Sequence, residues 1–330
     1  MFIVYKMLSL FLLPMVCLAC QSSHWAKFMD FMSKHDKVYE TLEIFDHRYK
    51  VFSDNMDFAE KTNTAQSNYT LGVSPFADLT ISEFKSYHSN LLSSSLSRKC
   101  NPYVPSSSTT AIPSTLDWRD LNAVTDVKDQ GQCGSCWSFS ATGAMEGAWA
   151  IAEGDLISLS EQQLVDCSTG ITYGNKGCNG GLMDSAFNFA IKNGMCAESA
   201  YTYEAVDQTC EQTCSPVVTI TDCKDVPSNN QVALQQAVAV GPVSIAIEAD
   251  TRTFQMYTSG VITSDACGTN LDHGVLIVGY GLLEKTPYWL VKNSWGSSWG
   301  EDGYVKIERS SSENDPGVCG IAMQPSFPIV

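Results

Sequence analysis

Basic residues and histidine are both scarce in this chain of 330 residues. Lysine and arginine number 20 against 36 aspartates and glutamates, which gives a formal net charge of −16 at pH 7. A nucleic-acid-binding surface needs clustered positive charge, so this balance argues against a nucleic-acid partner. Charged residues make up only 17% of the chain and hydrophobic residues 44%, so we expect a folded globular protein rather than a disordered one.

Long apolar runs are missing after the first twenty residues. The one early run extends from Met7 to Leu18 behind Lys6 and is shorter than the roughly 20 apolar residues that span a bilayer. It ends in small or thiol residues, as a cleaved signal peptide does. We therefore expect residues 1–20 to be a signal peptide that directs the chain into the secretory pathway, with no membrane attachment after its removal. A retained anchor and a lipidated Cys20 are the alternatives.

Charge is distributed unevenly along the chain. The first 110 residues carry ten basic and ten acidic residues, and the rest carries ten and 26. A Ser/Thr-rich stretch, Ser106–Thr110, separates the two parts, so we divide the chain into residues 21–110 and 111–330. The acidic second part suits a lysosome-like or vacuole-like acidic compartment, where protonation relieves self-repulsion, or the extracellular space.

Cysteine is abundant, with 13 residues, ten of them after residue 110. So many thiols behind a signal peptide indicate disulfides. If one of the ten remains a thiol, nine are left. Because nine is odd, at least one more is unpaired or pairs outside this part of the chain.

The residue patterns predict helices first and strands later. Apolar residues recur at helical spacing in two segments between His24 and Asn63, and a short strand (69–73) and a capped helix after Asp78 follow. In the second part, an apolar helix is expected to begin at Cys136, and β-rich runs follow Val217. This order indicates an α+β fold with a cleft between a helical and a strand-rich half. Further helices are expected at 160–167 and 183–193, and strands at 243–247, 274–278, 288–292 and 303–307.

Two residues stand out as candidates for catalysis. His273 is the single histidine after residue 110, so it is the one candidate there for a histidine-dependent mechanism. Cys136 begins the predicted helix, whose positive end favours the thiolate. Cys133-Gly-Ser-Cys136 is also compatible with a dithiol redox pair, or with a zinc site completed by Cys210 and Cys214.

Four further segments accompany Cys133-Gly-Ser-Cys-Trp137. They are Gln130-Gly131, Gly177-Cys-Asn-Gly-Gly181, Asp272-His273-Gly274 and Lys292-Asn-Ser-Trp-Gly-Ser-Ser-Trp-Gly300. Together these motifs resemble the papain-like cysteine peptidases, most closely the cathepsin L-like branch, over almost the entire chain. In that family a histidine and an asparagine follow the signature by about 130 to 150 residues. His273 has this spacing and Asn293 lies slightly beyond it.

The resemblance implies a papain-like two-lobed fold and a cysteine endopeptidase without metal or cofactor. Cys136 would be the nucleophile and His273 its base, and Asn293 would orient the imidazole beneath Trp295. Gln130, with the backbone N–H of Cys136, would bind the oxyanion. Asp272 is interpreted as a neighbour of the base. An inactive homologue is the alternative, although neither the nucleophile nor the base is replaced.

The resemblance also implies pairings and a substrate pocket. It pairs Cys133 with Cys178, Cys167 with Cys210 and Cys267 with Cys319, which leaves Cys196, Cys214 and Cys223, with a fourth bridge among them left open. It places an apolar pocket for P2, the substrate residue two positions before the cleaved bond, and so implies a preference for Leu, Phe or Val there. The pocket residues are Leu182, Met183, Ala246, Leu271 and Gln324, with Gln324 at the floor.

Residues 21–110 resemble the inhibitory propeptide of the family, so we expect a zymogen cleaved close to Ala111 or Ile112. A retained interaction domain is the alternative. The expected partners are polypeptide substrates, the chain's own propeptide and cystatin-like inhibitors. The enzyme is expected to be a monomer. Asn68 begins the one N-glycosylation sequon. The propeptide motif is matched at Arg48, Phe52, Asn55 and Asn63, and it departs from the usual residues at Ile44, Ala59 and Ser74.

Overall fold

The computed structural model describes residues 24–88, 91–92, 100–105, 112–211, 214–263 and 266–330. The predicted signal peptide, the Ser106–Thr110 stretch and the expected cleavage position at Ala111 lie outside these residues. None of the helices within the described ranges has the length and apolar character needed to cross a membrane.

Two helices begin the described chain, as predicted. They are α1 (Trp25–Lys34) and α2 (Leu42–Ala65). The N-cap hydroxyl of Thr41 accepts a hydrogen bond from the Ile44 N–H at 3.2 Å and satisfies one of the open donors of α2. Aromatic rings join the helices, with the Phe28 and Phe52 centroids 5.2 Å apart and both side chains fully buried. Each helix thus buries its apolar face against the other.

Two asparagines of α2 fasten the chain that follows. Asn55 Nδ2 donates to the carbonyls of Ala77 and Leu79, both at 2.9 Å. Asn63 both donates to and accepts from the backbone of Leu71 at 2.8 Å. These bonds replace the backbone partners that a non-regular segment lacks. They position strand β1 (Tyr69–Leu71) and helix α3 (Ile81–His88).

The start of α3 is a reciprocal capping box. The Thr80 hydroxyl accepts from the Glu83 N–H at 3.2 Å, and the Glu83 carboxylate accepts from the Thr80 N–H at 2.8 Å. Arg48 of α2 forms a two-pronged pair with the same carboxylate at 2.8 and 2.9 Å. This guanidinium holds the pKa of Glu83 at about 2, so the pair persists in acid.

The second part of the chain folds into a helical lobe followed by a strand-rich lobe, which confirms the predicted α+β class. The helices are α4 (Cys136–Glu153), α5 (Glu161–Cys167), α6 (Gly170–Tyr173), α7 (Met183–Asn193), α8 (Gln231–Val238) and α9 (Arg252–Met256). Ser160 caps α5, because its hydroxyl accepts from the Gln163 N–H at 2.9 Å. Apolar residues of α4, α5 and α7 form the core of the helical lobe.

One ten-stranded sheet forms the other lobe, and segments from before residue 110 lie at both of its ends. The strands after β1 are β2 (Asn101–Pro102), β3 (Leu116–Asp117), β4 (Asp222–Asp225), β5 (Val243–Ile247), β6 (Tyr257–Ile262), β7 (His273–Leu283), β8 (Thr286–Lys292), β9 (Tyr304–Glu308) and β10 (Ser326–Ile329). Their order in the sheet is β1, β6, β9, β8, β7, β5, β10, β4, β2, with β3 paired to β7.

Helix α4 packs directly on β7 and thereby joins the lobes. Ser140 Oγ donates to the Val275 carbonyl at 2.7 Å, and Ser244 Oγ donates to the Ser140 carbonyl at 2.8 Å. Gly143 permits this approach, because a Cβ there would lie 2.7 Å from Leu276 Cδ2. The first residues of α4 and β7 therefore meet at one end of this interface.

Five disulfides stabilise the fold within the described ranges of the chain. Three are the pairs implied by the resemblance, and Cys196–Cys214 is a fourth within the second part. The fifth joins Cys223 to Cys100, across 123 residues, and so accounts for the odd cysteine. Cys136 is in none of them.

Candidate active site

The start of α4 and the start of β7 bring Cys136 and His273 together. The Gly274 N–H, one residue beyond His273, donates to Cys136 Sγ at 3.3 Å. Both side chains are completely buried in this form of the protein. The sulfur therefore lies at the positive end of an 18-residue helix and beside the strand that carries the imidazole.

Asn293 fixes the tautomer of His273. Asn293 Oδ1 lies 2.8 Å from His273 Nε2 and also accepts from the Ser294 N–H at 2.8 Å. Because a backbone N–H can only donate, the amide oxygen must face this side, so Nε2 carries the hydrogen. The other ring nitrogen, Nδ1, is then the one whose lone pair can take a proton.

Trp295 covers the imidazole. The two ring centroids are 4.7 Å apart, and Trp295 is only 2% exposed. Trp299 packs edge-on against it at 4.9 Å. These indoles exclude water from the region of the Asn293 hydrogen bond, which strengthens it.

Gln130 is hydrogen-bonded to Ser294, the residue between Asn293 and Trp295. Its backbone N–H donates to the Ser294 carbonyl at 2.9 Å, and its side-chain oxygen accepts from Ser294 Oγ at 2.8 Å. The side-chain nitrogen donates to the Cys133 carbonyl at 2.9 Å. One residue that the sequence did not single out, Ser294, thus couples the glutamine to the asparagine.

Tyr203 is a second residue that the sequence reasoning missed. Its hydroxyl donates to the Gln130 carbonyl at 2.8 Å and lies 2.6 Å from Ser135 Oγ. Burial raises the pKa of this phenol, so it stays a proton donor throughout the neutral range. Its position in an irregular loop gives no sequence signal for this role.

Asp272 does not serve the imidazole as an orienting group. Its carboxylate accepts from the N–H groups of Ala249 at 2.9 Å and Asp250 at 3.3 Å. Burial raises the pKa of Asp272 to about 7. The orienting partner of His273 is Asn293.

The expected pocket residues are brought together in part. Met183 and Ala246 are buried and share one apolar cluster with half-buried Leu271. Gly274, which the sequence reasoning did not assign to the pocket, pairs with Ala246 in the sheet. A Cβ on Gly274 would lie 3.2 Å from Trp137 Cα and 3.3 Å from Met183 Sδ, so its absence lets this strand pack closely on α4 and Met183. Leu182 and Gln324 are half-buried, at the N-cap of α7 and before β10 respectively.

The segment after α3 crosses between the lobes beside the candidate site. The Leu91 N–H donates to the Asp272 carbonyl at 2.9 Å, and the Leu92 N–H donates to the Gly181 carbonyl at 3.3 Å. Asp272 belongs to the strand lobe and Gly181 to the helical lobe. Leu91 also packs against the apolar cluster that contains Met183 and Ala246. The chain thus occupies part of the cleft that a substrate would enter.

The N-terminal part is also docked on the strand lobe. Strand β1 pairs with β6, and Gln255 Nε2 donates to the carbonyls of Phe76 and Leu79 at 2.9 and 2.7 Å. The rings of Phe76 and Phe84 contact Trp295 edge-on at 5.8 and 5.3 Å. The indole that covers His273 is therefore itself covered by this part of the chain.

A buried ionic cluster links the lobes behind the site. Lys128 Nζ donates to Glu146 at 3.0 Å and to Glu161 at 2.7 Å. Lys292 contacts Thr125, whose hydroxyl donates to Glu146 at 2.6 Å. Burial raises the pKa of Glu161 to about 7, whereas for Glu146 the two ammonium groups and the hydrogen bonds together outweigh burial and lower the pKa. The two cations therefore favour the charged form of Glu146.

Replacing Lys128 by methionine is expected to lower the free energy of unfolding by about 3–5 kcal/mol, because two buried carboxylates then share one ammonium group. Chemical denaturation of the zymogen at pH 7 measures this. Lys50→Met is the matched control, since its pair with Asp54 is exposed and such pairs contribute little. Equal loss of stability in both variants would contradict the role assigned to the cluster.

Disulfide bonding decides against the zinc and dithiol alternatives. Cys133 is bonded to Cys178, Cys210 to Cys167 and Cys214 to Cys196. These sulfurs are therefore not thiolate ligands, and Cys133 and Cys136 are not a redox pair.

Comparisons with known proteins agree with this geometry. Residues 112–329 match the family model of papain family cysteine proteases, and residues 28–84 match the cathepsin propeptide inhibitor domain (I29). The chain is 50% identical over 287 residues to a probable cysteine protease, RD21B, of Arabidopsis thaliana, covering 86% of this chain but only 61% of that protein. It is 45% identical over 311 residues to the senescence-specific cysteine protease SAG39 of Oryza sativa subsp. japonica, covering 90% and 88% of the two chains.

Solved structures of proforms have the same fold. Digestive procathepsin L 3 of the Tenebrio molitor larval midgut superposes with a TM-score of 0.83 at 40% identity, covering 94% of this chain and all of that one (100%). The stem bromelain precursor gives 0.85 at 36% identity, covering 92% and 98%. The chain belongs to the papain family of cysteine proteases and carries a cathepsin-type inhibitory propeptide ahead of its protease domain.

Proposed function

We propose that this protein is a cysteine endopeptidase in which Cys136 and His273 form a thiolate–imidazolium pair. The observation that carries the proposal is the hydrogen bond from Gly274 to Cys136 Sγ, together with the His273–Asn293 bond. Since Nε2 is committed to Asn293, Nδ1 takes the proton of the thiol. The N-terminus of α4 and the imidazolium both stabilise the thiolate.

Hydrolysis then proceeds through an acyl-enzyme. The thiolate attacks the substrate carbonyl carbon, and the imidazolium returns its proton to the leaving amine. His273 next takes a proton from water, which attacks the thioester and frees the thiol. Asn293 and Trp295 keep the imidazole oriented through both half-reactions.

Gln130 and the backbone N–H of Cys136 bind the oxyanion in this scheme. Gln130 Nε2 carries two hydrogens, of which one serves the Cys133 carbonyl, so the second is the donor to the oxyanion. Ser294 and Tyr203 hold the glutamine in position from both sides. Such a preorganised donor contributes roughly 3–4 kcal/mol to transition-state stabilisation.

The propeptide is the inhibitor of this site within the same chain. Its segment at Leu91 bonds to both lobes, and β1 and the Phe76 and Phe84 rings fasten it to the strand lobe. Because binding is intramolecular, its effective concentration is high and the zymogen is inactive. Removal of the propeptide opens the cleft to polypeptide substrates and to cystatin-like inhibitors. The active enzyme is a monomer.

We infer a secretory-pathway enzyme that acts in an acidic, vacuole-like or lysosome-like compartment or outside the cell. The supports are the apolar N-terminal run, the five disulfides and the surplus of carboxylates. Asn68 lies exposed in the turn before β1, where a glycan would be accommodated if the sequon is used.

The substrate pocket selects apolar P2 residues. Burying a leucine or phenylalanine side chain against Met183 and Ala246 contributes about 1.5–3 kcal/mol, so we expect kcat/KM for Leu, Phe or Val at P2 to exceed that for Asp by roughly 10- to 100-fold. A positional peptide library with the activated enzyme measures this.

Gln324 is the polar member of the set, and Gln324→Ala is the matched variant for the library. We expect the wild-type enzyme to accept polar P2 residues above background and the variant to lose them, because the amide supplies their hydrogen bond. If the wild type rejects polar and basic residues altogether, Gln324 has no part in selectivity. If apolar residues are not preferred, the pocket assignment is wrong.

A further inference from the structure

The segment Cys100–Pro105, here called the tethered segment, lies outside both family matches, which cover residues 28–84 and 112–329. It is nevertheless covalently attached to the protease domain. Cys100 is bonded to Cys223, which is 1% exposed and lies within β4. The tethered segment is therefore connected to the protease domain twice, once through the polypeptide chain and once through the disulfide.

Noncovalent contacts hold the tethered segment along β4. Strand β2 pairs with β4 in parallel, and Asn101 Nδ2 donates to Asp222 at 2.9 Å. The Tyr103 N–H donates to the Asp225 carbonyl at 2.8 Å, and the Tyr103 ring contacts Phe327 edge-on at 5.3 Å. The segment covers the outer edge of β4, which would otherwise present open backbone groups. It is built as part of the protease sheet.

The residues that make the inhibitory contacts all precede Cys100 in the sequence. Leu91 in the cleft, helix α3 and strand β1 precede it in the chain. If the chain were cut only after Pro105, all of these elements would remain joined to the protease through Cys100 and Cys223. The tethered inhibitor would keep an effective concentration on the order of millimolar and would rebind. Such a cut alone does not open the cleft.

We propose that the activating cleavage lies on the N-terminal side of Cys100 and that the tethered segment remains in the active enzyme as the outermost strand of its sheet. The cleavage is an ordinary hydrolysis, in which water adds a hydroxyl to the carbonyl carbon and a hydrogen to the amine, and the disulfide is untouched. A second cut near Ala111 would leave the tethered segment attached. The retained part of the protein thus begins earlier than the boundary at Ala111 that the sequence predicts.

Intact mass and peptide mapping of the activated enzyme, without reductant, test this independently of activity. We expect the mature mass to include residues 100–105 and a digest to contain the Cys100 peptide crosslinked to the Cys223 peptide. An active enzyme with nothing N-terminal to Ile112 attached, and with Cys223 open to alkylation, would overturn the proposal.

A cut introduced after Pro105 provides the second test. A recognition sequence for a site-specific protease is placed there in the full-length zymogen and in a Cys100→Ser/Cys223→Ser variant. After cutting and dilution to nanomolar enzyme without reductant, we expect at least 10-fold less peptide hydrolysis from the zymogen with the disulfide than from the variant, whose propeptide dissociates. Equal and readily measured hydrolysis by both would show that the disulfide does not retain the inhibitor and would contradict the proposal. The proposal rests on the peptidase function, and absence of hydrolysis from both proteins would contradict that function instead.

Discussion

Replacing Cys136 by serine is expected to lower kcat/KM for peptide hydrolysis by roughly 10⁵-fold or more, the scale on which loss of a nucleophile acts in such sites. The alcohol does not ionise beside an imidazole as a thiol does, so the thiolate that attacks the carbonyl is lost. A fluorogenic peptide with Phe or Leu at P2 measures the rate. Because this zymogen would not process itself, both it and the wild type are processed in trans by a second protease that is then removed.

The matched control is Cys133→Ala/Cys178→Ala, which removes the neighbouring disulfide from the same loop. We expect lower thermal stability but a rate per correctly folded active site within about 10-fold of wild type, since no step of the chemistry uses Cys133. Active-site titration corrects for unfolded protein. If the control were as inactive as Cys136→Ser, a function for the Cys133–Cys136 pair would replace the peptidase mechanism.

Replacing His273 by alanine is expected to reduce kcat/KM by roughly 10⁴- to 10⁶-fold, because one group generates the thiolate, protonates the leaving amine and activates water. The reductions in kcat/KM caused by the His273 and Cys136 substitutions are not expected to be additive. A double variant should be no slower than Cys136→Ser alone, since the two residues act as one unit. Additive losses would show that they act separately.

Asp272→Asn is the control for His273, because it alters the adjacent residue without touching the imidazole. Its carboxylate accepts from two backbone N–H groups rather than from His273, so we expect a loss below about 10-fold. A loss as large as that of His273→Ala would make Asp272 the orienting residue and displace Asn293 from that role.

The element types and the position of the site were predictable from the sequence because each has a local signal. Apolar spacing indicates α1 and α2, capping residues indicate α3, and short runs of β-branched and aromatic residues indicate β5 and β8. The motifs around Cys136 and His273 lie at the start of α4 and β7, where the patterns change. The family resemblance then supplies the roles of Gln130 and Asn293, and the fold and family that it implies are confirmed.

The Cys100–Cys223 bond had no local signal. The two residues are separated by 123 positions. Of the ten cysteines after residue 110, nine are left once Cys136 is set aside as a thiol, and this odd number indicates a missing partner without naming it. The role of Tyr203 and the buried ionic cluster depend on tertiary packing in the same way. Glu146, a carboxylate in the middle of the apolar helix α4, was a hint of that cluster.

The departures from the propeptide motif have physical explanations that only the structure supplies. Ser74 Oγ accepts from the Phe76 N–H at 3.1 Å, so a hydroxyl caps this turn. Ala59 is fully buried and packs in the propeptide core, whereas Ile44 is 40% exposed at the start of α2. None of the three interrupts the contacts that hold the propeptide on the strand lobe.

Alkylation of Cys136 in acid tests whether Cys136 and His273 form a thiolate–imidazolium pair. At pH 5.5 an ordinary thiol is only about 0.1% thiolate and reacts slowly with iodoacetamide. We predict that the activated, non-reduced enzyme is labelled rapidly at pH 5.5, at Cys136 alone, with matching loss of hydrolysis. The zymogen and His273→Ala are expected to be labelled far more slowly. Equal labelling rates in the activated enzyme and His273→Ala, or labelling at another cysteine, would contradict the thiolate–imidazolium pair.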